Sequence, residues 1–312
     1  HPEIAKLLVD AGAQYLLPEA VSWDELALFE KKLSENGVDV NEKDKEGRTA
    51  LYVACEKNNV DVVGRLLTVE GIDVEAGTSG WQGGRPLQRA FQQKHPEITK
   101  LLLDAGAKYS LLEAISWNDV ALVEKKLSEN GVNVNEKDKE GRTALNVASQ
   151  KGNTDMVVTL LQAEGIDVNL PDKDGTSPLC WSSYKGHTEI VQCLLLSPDI
   201  NVNQLRKGDA SSLFMACQNG KTESVKLLVV ARGINLEQPT SKGTTPLQVA
   251  QRKNHQEIAK LLVDAGAKYS LLEAVSWNDV ALVEKKLSED GVDVNEKDKE
   301  GRTALYWAAK KG

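Results

Sequence analysis

Long apolar stretches are missing from this 312-residue chain; no run approaches the roughly 18 residues that a membrane-spanning helix needs. No segment reads as a signal peptide. Cysteine is scarce: Cys55, Cys180, Cys193 and Cys217 are all there is, and none forms a Cys-x-x-Cys pair. That leaves no zinc or dithiol signature and suits free thiols in a reducing compartment, the cytoplasm. Charge of one sign is not concentrated either. There are 38 basic and 46 acidic residues, and they alternate, as in Glu42-Lys43-Asp44-Lys45-Glu46. A clustered basic face, which nucleic-acid binding requires, is absent, so no nucleic-acid partner is expected.

Repetition is what the chain has in abundance. Asp-Lys-Glu-Gly-Arg-Thr-Ala-Leu stands at residues 44–51, 138–145 and 298–305, and looser copies fill the space between. Leu145, Leu179, Leu213 and Leu247 recur every 34 residues. Glycine lies four residues before that leucine (Gly141, Gly175, Gly243), where a tight turn needs positive φ. Ser or Thr lies two before it (Thr143, Ser177, Ser211, Thr245), placed to accept from the free amides that open a helix. Pro178 and Pro246 sit just inside that start, where a missing N–H costs nothing. Ile190-Val191-Leu194-Leu195 then marks an amphipathic second helix. A short period of this kind predicts a solenoid, in which each unit buries its apolar face against its neighbours.

These residues resemble the ankyrin repeat. Thr245-Pro246-Leu247-Gln248-Val249-Ala250 and Ser177-Pro178-Leu179 match the family's Thr-Pro-Leu-His-x-Ala core, and Gly186-His187-Thr188-Glu189-Ile190-Val191 matches its second-helix opening. The resemblance covers essentially the whole chain. It implies an all-α repeat solenoid of about nine to ten helix-turn-helix units with short β-hairpin fingers, over residues 1–312 as a single array. One departure recurs: Tyr52, Gln88, Asn146, Cys180, Phe214, Gln248 and Tyr306 replace the family's core histidine, so its hydrogen bonds must be supplied differently or lost. Cys55 and Cys217 take the small buried position where the family has alanine, a structural role.

A second level of order lies above the repeat. His95-Pro-Glu-Ile copies His1-Pro-Glu-Ile at an offset of 94, and His255-Gln-Glu-Ile lies a further 160 on. Duplicated blocks of approximately 1–94, 95–254 and 255–312 follow. Each contains a short unit ending in Trp23, Trp117 or Trp277, and each short unit lacks about nine residues, the length of a finger. Such units resemble the family's amino-terminal caps, and the face should be notched near 105–112 and 265–272. Two further fingers deviate. Residues 74–87 carry two extra residues around Trp81, and Asp209 stands where the turn glycine belongs, so distortion is expected there.

The four histidines all open a second helix. In a solenoid, equivalent positions sit about 10 Å or more apart, so they cannot converge on one metal or substrate; a structural role bridging adjacent units is expected. The repeated Glu-Lys-Lys runs read as solvated faces, and Gly80-Trp81-Gln82-Gly83-Gly84 lacks the Gly-Lys-Ser/Thr ending of a phosphate loop. No enzyme activity, cofactor or metal is expected. The resemblance points instead to a concave face of finger tips and first-helix residues that binds other proteins or peptides. The matching positions include Glu56-Lys57, Gln92, Gln93, Gln150, Lys151, Tyr184, Lys185, Gln218, Asn219, Arg252 and Lys253. Trp81, Trp117 and Trp277 are further candidate anchors, whereas Trp181 and Trp307 are expected to pack in the core. A spacer array, or the targeting part of a larger enzyme or effector, is the alternative reading. Head-to-tail self-association is expected through a lone second helix, Pro2 to Asp10, and a lone first helix, Thr303 to Lys311.

Overall fold

A computed structural model describes residues 2–78 and 84–311. These fall into two compact bodies, His1–Ser110 and Leu111–Gly312. The first holds α1 (Pro2–Asp10), α2 (Leu17–Ser22), α3 (Leu26–Leu33), α4 (Ala50–Lys57), α5 (Val60–Leu67), α6 (Pro86–Gln92) and α7 (Pro96–Asp104). The second begins with α8 (Leu111–Trp117), α9 (Val120–Leu127), α10 (Ala144–Lys151), α11 (Thr154–Leu161), α12 (Pro178–Lys185), α13 (Thr188–Leu195) and α14 (Ser212–Gln218). It continues with α15 (Thr222–Val229), α16 (Pro246–Arg252), α17 (Gln256–Asp264), α18 (Leu271–Ser276), α19 (Val280–Leu287) and α20 (Ala304–Lys311). Within each body first helices stack on first helices (α2, α4, α6; α10, α12, α14, α16) and second helices on second helices (α5, α7; α11, α13, α15, α17).

The period leucines are the centre of this packing: Leu51, Leu145, Leu179, Leu213 and Leu247 are all buried. Their helices start where a hydroxyl stands. Thr49, Thr143, Ser177, Ser211 and Thr245 each accept a hydrogen bond from the backbone N–H three residues on. Ahead of each such helix runs a finger. Its tip is closed by Gly47 N–H donating to Asp44 O and by Asp44 N–H donating to Arg48 O, and the same pair recurs at Asp138, Asp172 and Asp298. The finger at 204–211 keeps both bonds: Arg206 N–H donates to Ala210 O, and Asp209 N–H donates to Arg206 O. Asp209 takes the left-handed conformation of the missing glycine (φ 60), and the deviation is confined to Gly208 (φ 85). The expected distortion is therefore absorbed locally, because the short polar side chain tolerates that region.

An asparagine ladder joins successive repeats. Asn135 Nδ2 donates to Gly165 O, and its Oδ1 accepts from Asp167 N–H. Asn169 does the same with Asp199 O and Asn201 N–H, and Asn203 with Gly233 O and Asn235 N–H. Where the next repeat is a short one, glutamate stands in this position. Glu75 Oε1 accepts from Lys108 N–H and Glu237 Oε1 from Lys268 N–H. At those places six residues, 105–110 and 265–270, replace the finger, with no β-bridge in either stretch. The first coincides with the boundary between the two bodies.

The histidine position also bridges repeats. The ring of His187 lies over Gly152, and that of His255 over Gly220. In other repeats Asn153 Nδ2 reaches Asn118 Oδ1, and Asn59 Nδ2 reaches Asp24 Oδ1. In each case the residue that opens a second helix touches the left-handed residue of the repeat before it. Among the described residues no group of His, Cys, Asp and Glu is arranged to hold a metal ion, and no helix is long and apolar enough to cross a membrane.

Candidate functional site

First-helix residues and finger tips share one face of the second body, and hollows open between them. One, of about 480 Å³, is lined by Gln150, Thr176, Trp181, Tyr184, Lys185, Arg206, Met215 and Gln218. The next, of about 510 Å³, shares Gln218 and adds Phe214, Lys242, Thr244, Val249, Arg252 and Lys253. A third lies between two fingers and is lined by Lys139, Glu140, Arg142, Gln150, Asp172, Lys173, Asp174 and Trp181. The structure thus brings Gln150, Tyr184, Lys185, Gln218, Arg252 and Lys253 to neighbouring hollows.

Other expected residues lie elsewhere or are occupied. Gln92 and Gln93 are exposed at the end of α6, in the first body. Trp81 lies outside the described residues. Lys151 donates its ammonium to Ser116 O and Ile115 O, tying α10 to the end of α8; burial, and then the Arg142 charge, push its pKa down. Asn219 Nδ2 bonds back to Met215 O within its own helix. Trp117 and Trp277 are half-buried, and Trp277 packs against Tyr269 with ring centroids 6.2 Å apart. The same arrangement holds for Trp23 and Tyr15 at 5.9 Å.

Trp181 and Trp307 correct the sequence expectation. Val53, Val147, Met215 and Val249 occupy the equivalent position and are buried, but both indoles are only half-buried. At Trp181 the ring, much larger than valine, turns out over the finger; Trp307 lies on α20, where Leu305 is exposed as well. In both, the polar edge of the ring finds a partner, as a half-buried indole N–H requires: Trp181 Nε1 donates to Asp172 Oδ2 and Trp307 Nε1 to Asp298 Oδ2, both at 2.9 Å. Trp181 meets Tyr184 edge-on at 6.1 Å, and Lys185 Nζ stands 5.3 Å from the Tyr184 ring centroid. Trp181 is thus a member of the face that sequence reasoning missed; an indole where four other repeats have valine or methionine was the available signal.

The core positions of the missing histidines are filled unevenly. Asn146 Nδ2 donates to Leu170 O at 2.7 Å, while its Oδ1 has no partner. Gln248 accepts from Thr245 N–H and donates to Glu273 Oε1, joining a full repeat to the following short one. At Cys180 burial pushes the thiol up to about 12.

Comparison with known proteins agrees with this architecture. Family models described as ankyrin repeats (3 copies) match residues 1–113, 111–206 and 201–273, and one described as ankyrin repeats (many copies) matches 271–312. Over 165 residues, half of this chain, the sequence is 32% identical to an L-asparaginase of Dirofilaria immitis, covering 27% of that protein. It is 38% identical over 98 residues, 31% of the chain, to the mitochondrial liver isoform of glutaminase from Rattus norvegicus, covering 16% of it. A putative ankyrin repeat protein of fowlpox virus is 30% identical over 166 residues, covering 51% of the chain and 24% of that protein. The chain spans about a quarter or less of the length of each of these relatives.

Proposed function

The chain belongs to the ankyrin-repeat family, and from that premise we propose that it is a non-catalytic protein-binding scaffold. Its partner, a protein or peptide, docks on the finger and first-helix face between residues 142 and 253. The observation that carries this reading is the half-buried pair Trp181 and Tyr184, set at a mutual 6.1 Å in a hollow rimmed by long polar side chains. Aromatic anchors in a pocket with a polar rim are how a few residues supply most of the energy of an interface. A rigid repeat array adds to this because its ordering entropy is lost before binding. Trp81, Gln92, Gln93, Trp117 and Trp277 remain secondary candidates for contact. The four free thiols, three of them buried, support a reducing compartment, the cytoplasm.

The test is to select binding peptides on the intact chain and compare affinities after substitution. Tyr184→Ala should weaken binding at least on the order of tenfold while leaving the melting temperature nearly unchanged. Val158→Ala, at an exposed position on α11, should leave binding intact. Equal affinities in both variants would contradict the assignment. A second reading, that the array targets a larger enzyme, draws support from the matched asparaginase and glutaminase, of which the aligned segments are 27% and 16%. Sequencing the full transcript separates the two.

A further inference from the structure

The arginines and lysines near the fingers and first helices of the second body differ in their surroundings. Arg142 pairs with Asp138 and Glu140, and Arg302 with Asp298 and Glu300. Lys185, Arg206, Lys242, Arg252 and Lys253 have no ion-pair partner among the described residues, and they are the charged lining of the two adjoining hollows that share Gln218. No carboxylate lines either hollow. This is unusual placement in a chain whose net charge is −8. Arg252 and Lys253 are sequence neighbours of like charge, and Arg206 carries a guanidinium whose Nε has no acceptor. Arg252 Nη2 reaches only the neutral Thr244 Oγ1, at 3.2 Å.

We infer that the segment bound on this face is an acidic peptide, extended across the two hollows, with carboxylates against Arg206 and the Arg252–Lys253 pair and one apolar or aromatic side chain against Trp181 and Tyr184. This deepens the proposed function and rests on it. Unpaired guanidinium donors match a carboxylate in fork geometry, and charge complementarity of this kind sets partner choice and encounter rate. First helices pack about 8–10 Å apart, and an extended peptide rises about 3.3 Å per residue. One repeat step therefore corresponds to about three peptide residues, and acidic residues about three apart would meet successive repeats. A nucleic acid fits less well. The neighbouring cleft between the fingers alternates Lys139, Arg142 and Lys173 with Glu140, Asp172 and Asp174, so the unbroken positive lining ends at the two hollows and offers a continuous phosphate backbone no extended basic track, whereas a peptide places its charges one by one.

The experiment is selection from a random dodecapeptide display library on the intact chain, followed by affinity measurement on the enriched peptides. Enrichment in Asp or Glu together with an aromatic or aliphatic residue is expected. Affinity should fall on the order of tenfold or more in Arg252→Glu and less in Arg252→Gln; Arg252 is exposed, and circular dichroism confirms that both variants fold. Lys285→Glu, at an exposed position on α19 outside both hollows, should leave it unchanged. Neutral or basic peptides that bind at Tyr184 but ignore Arg252→Glu would overturn the acidic assignment while leaving the face as a binding site. Failure to enrich any peptide that responds to Tyr184→Ala would overturn the proposed function itself. Displacement of the peptide by single-stranded polyuridylate, with the same dependence on Arg252, would replace the inference with a polyanion site.

Discussion

His187 lies directly over Gly152 of the preceding repeat: a Cβ on that glycine would come 2.6 Å from the imidazole Cε1. Gly152 closes α10 in the left-handed conformation, at φ 79. Glycine is required there twice over, once by the backbone and once by the ring above it. Gly165 has a similar φ of 74 and nothing within 4 Å of its Cβ position. Gly152→Ala should therefore cost about 2–3 kcal/mol, against about 1 for Gly165→Ala. Equal losses in urea unfolding would mean that the histidine contact carries no constraint.

The asparagine ladder predicts a separate stability effect. Asn169→Ala removes two hydrogen bonds at 2.7 Å, to Asp199 O and from Asn201 N–H. The side chain is half-buried, so the loss should be about 1–2 kcal/mol. Amide exchange should rise at Asn201 and stay unaltered in the first body.

Much of this was legible in the sequence, because a repeat writes the same local chemistry many times. The leucine ruler, the Ser/Thr caps and the nine-residue deficit before Leu111 each rest on residues close together in the chain, and the helices and missing fingers stand where they predict. What was not legible depends on how side chains meet across a finger or between repeats. Glu75 and Glu237 read as ordinary variants of asparagine until Lys108 and Lys268 are seen to donate to them. Trp181 reads as core because its position is core in other repeats, and only the finger carboxylate of Asp172 shows where the indole goes. The pairing of Arg142 with Asp138 and Glu140 is local and legible, whereas the gathering of Arg206, Arg252 and Lys253 about two adjoining hollows is a spatial property.

Thiol chemistry should separate the cysteines. Burial pushes Cys55 and Cys180 up to about 12 and Cys217 higher still, whereas Cys193 is partly exposed on α13. The thiolate is the reactive form. Native protein at pH 8 should release one equivalent of thionitrobenzoate rapidly from Ellman's reagent and the remainder only on unfolding. Rapid release that persists in Cys193→Ser would contradict this.

Acid should weaken the fingers. Burial alone would raise the Asp44 carboxyl, but the Arg48 backbone N–H, its guanidinium and its charge outweigh that and hold it below the ordinary carboxylate value; Asp138 is held down by Arg142 in the same way. A depressed folded-state pKa contributes stability that is present above the unfolded value, about 4, and is lost as pH falls through the folded one. The urea midpoint should thus drop as pH falls below the ordinary carboxylate value of about 4, and the drop should be shallower in Asp44→Asn. An unchanged slope would remove these carboxylates from the acid response.

Exposed apolar surface at Ile4, Leu7 and Leu8 on α1 and at Leu305 on α20 predicts association of the 312-residue polypeptide with further copies of itself. Light scattering should rise with concentration and fall in Leu7→Lys. A monomer at every concentration would rule the contact out.

The central claim, that partners dock on the finger and first-helix face of the second body, is tested most directly by a crystal structure of the chain with a library-selected peptide. The account predicts an extended peptide crossing Trp181, Tyr184 and Gln218, with its carboxylates at Arg206 and Arg252. A peptide bound along the second helices, or in the first body alone, would contradict it.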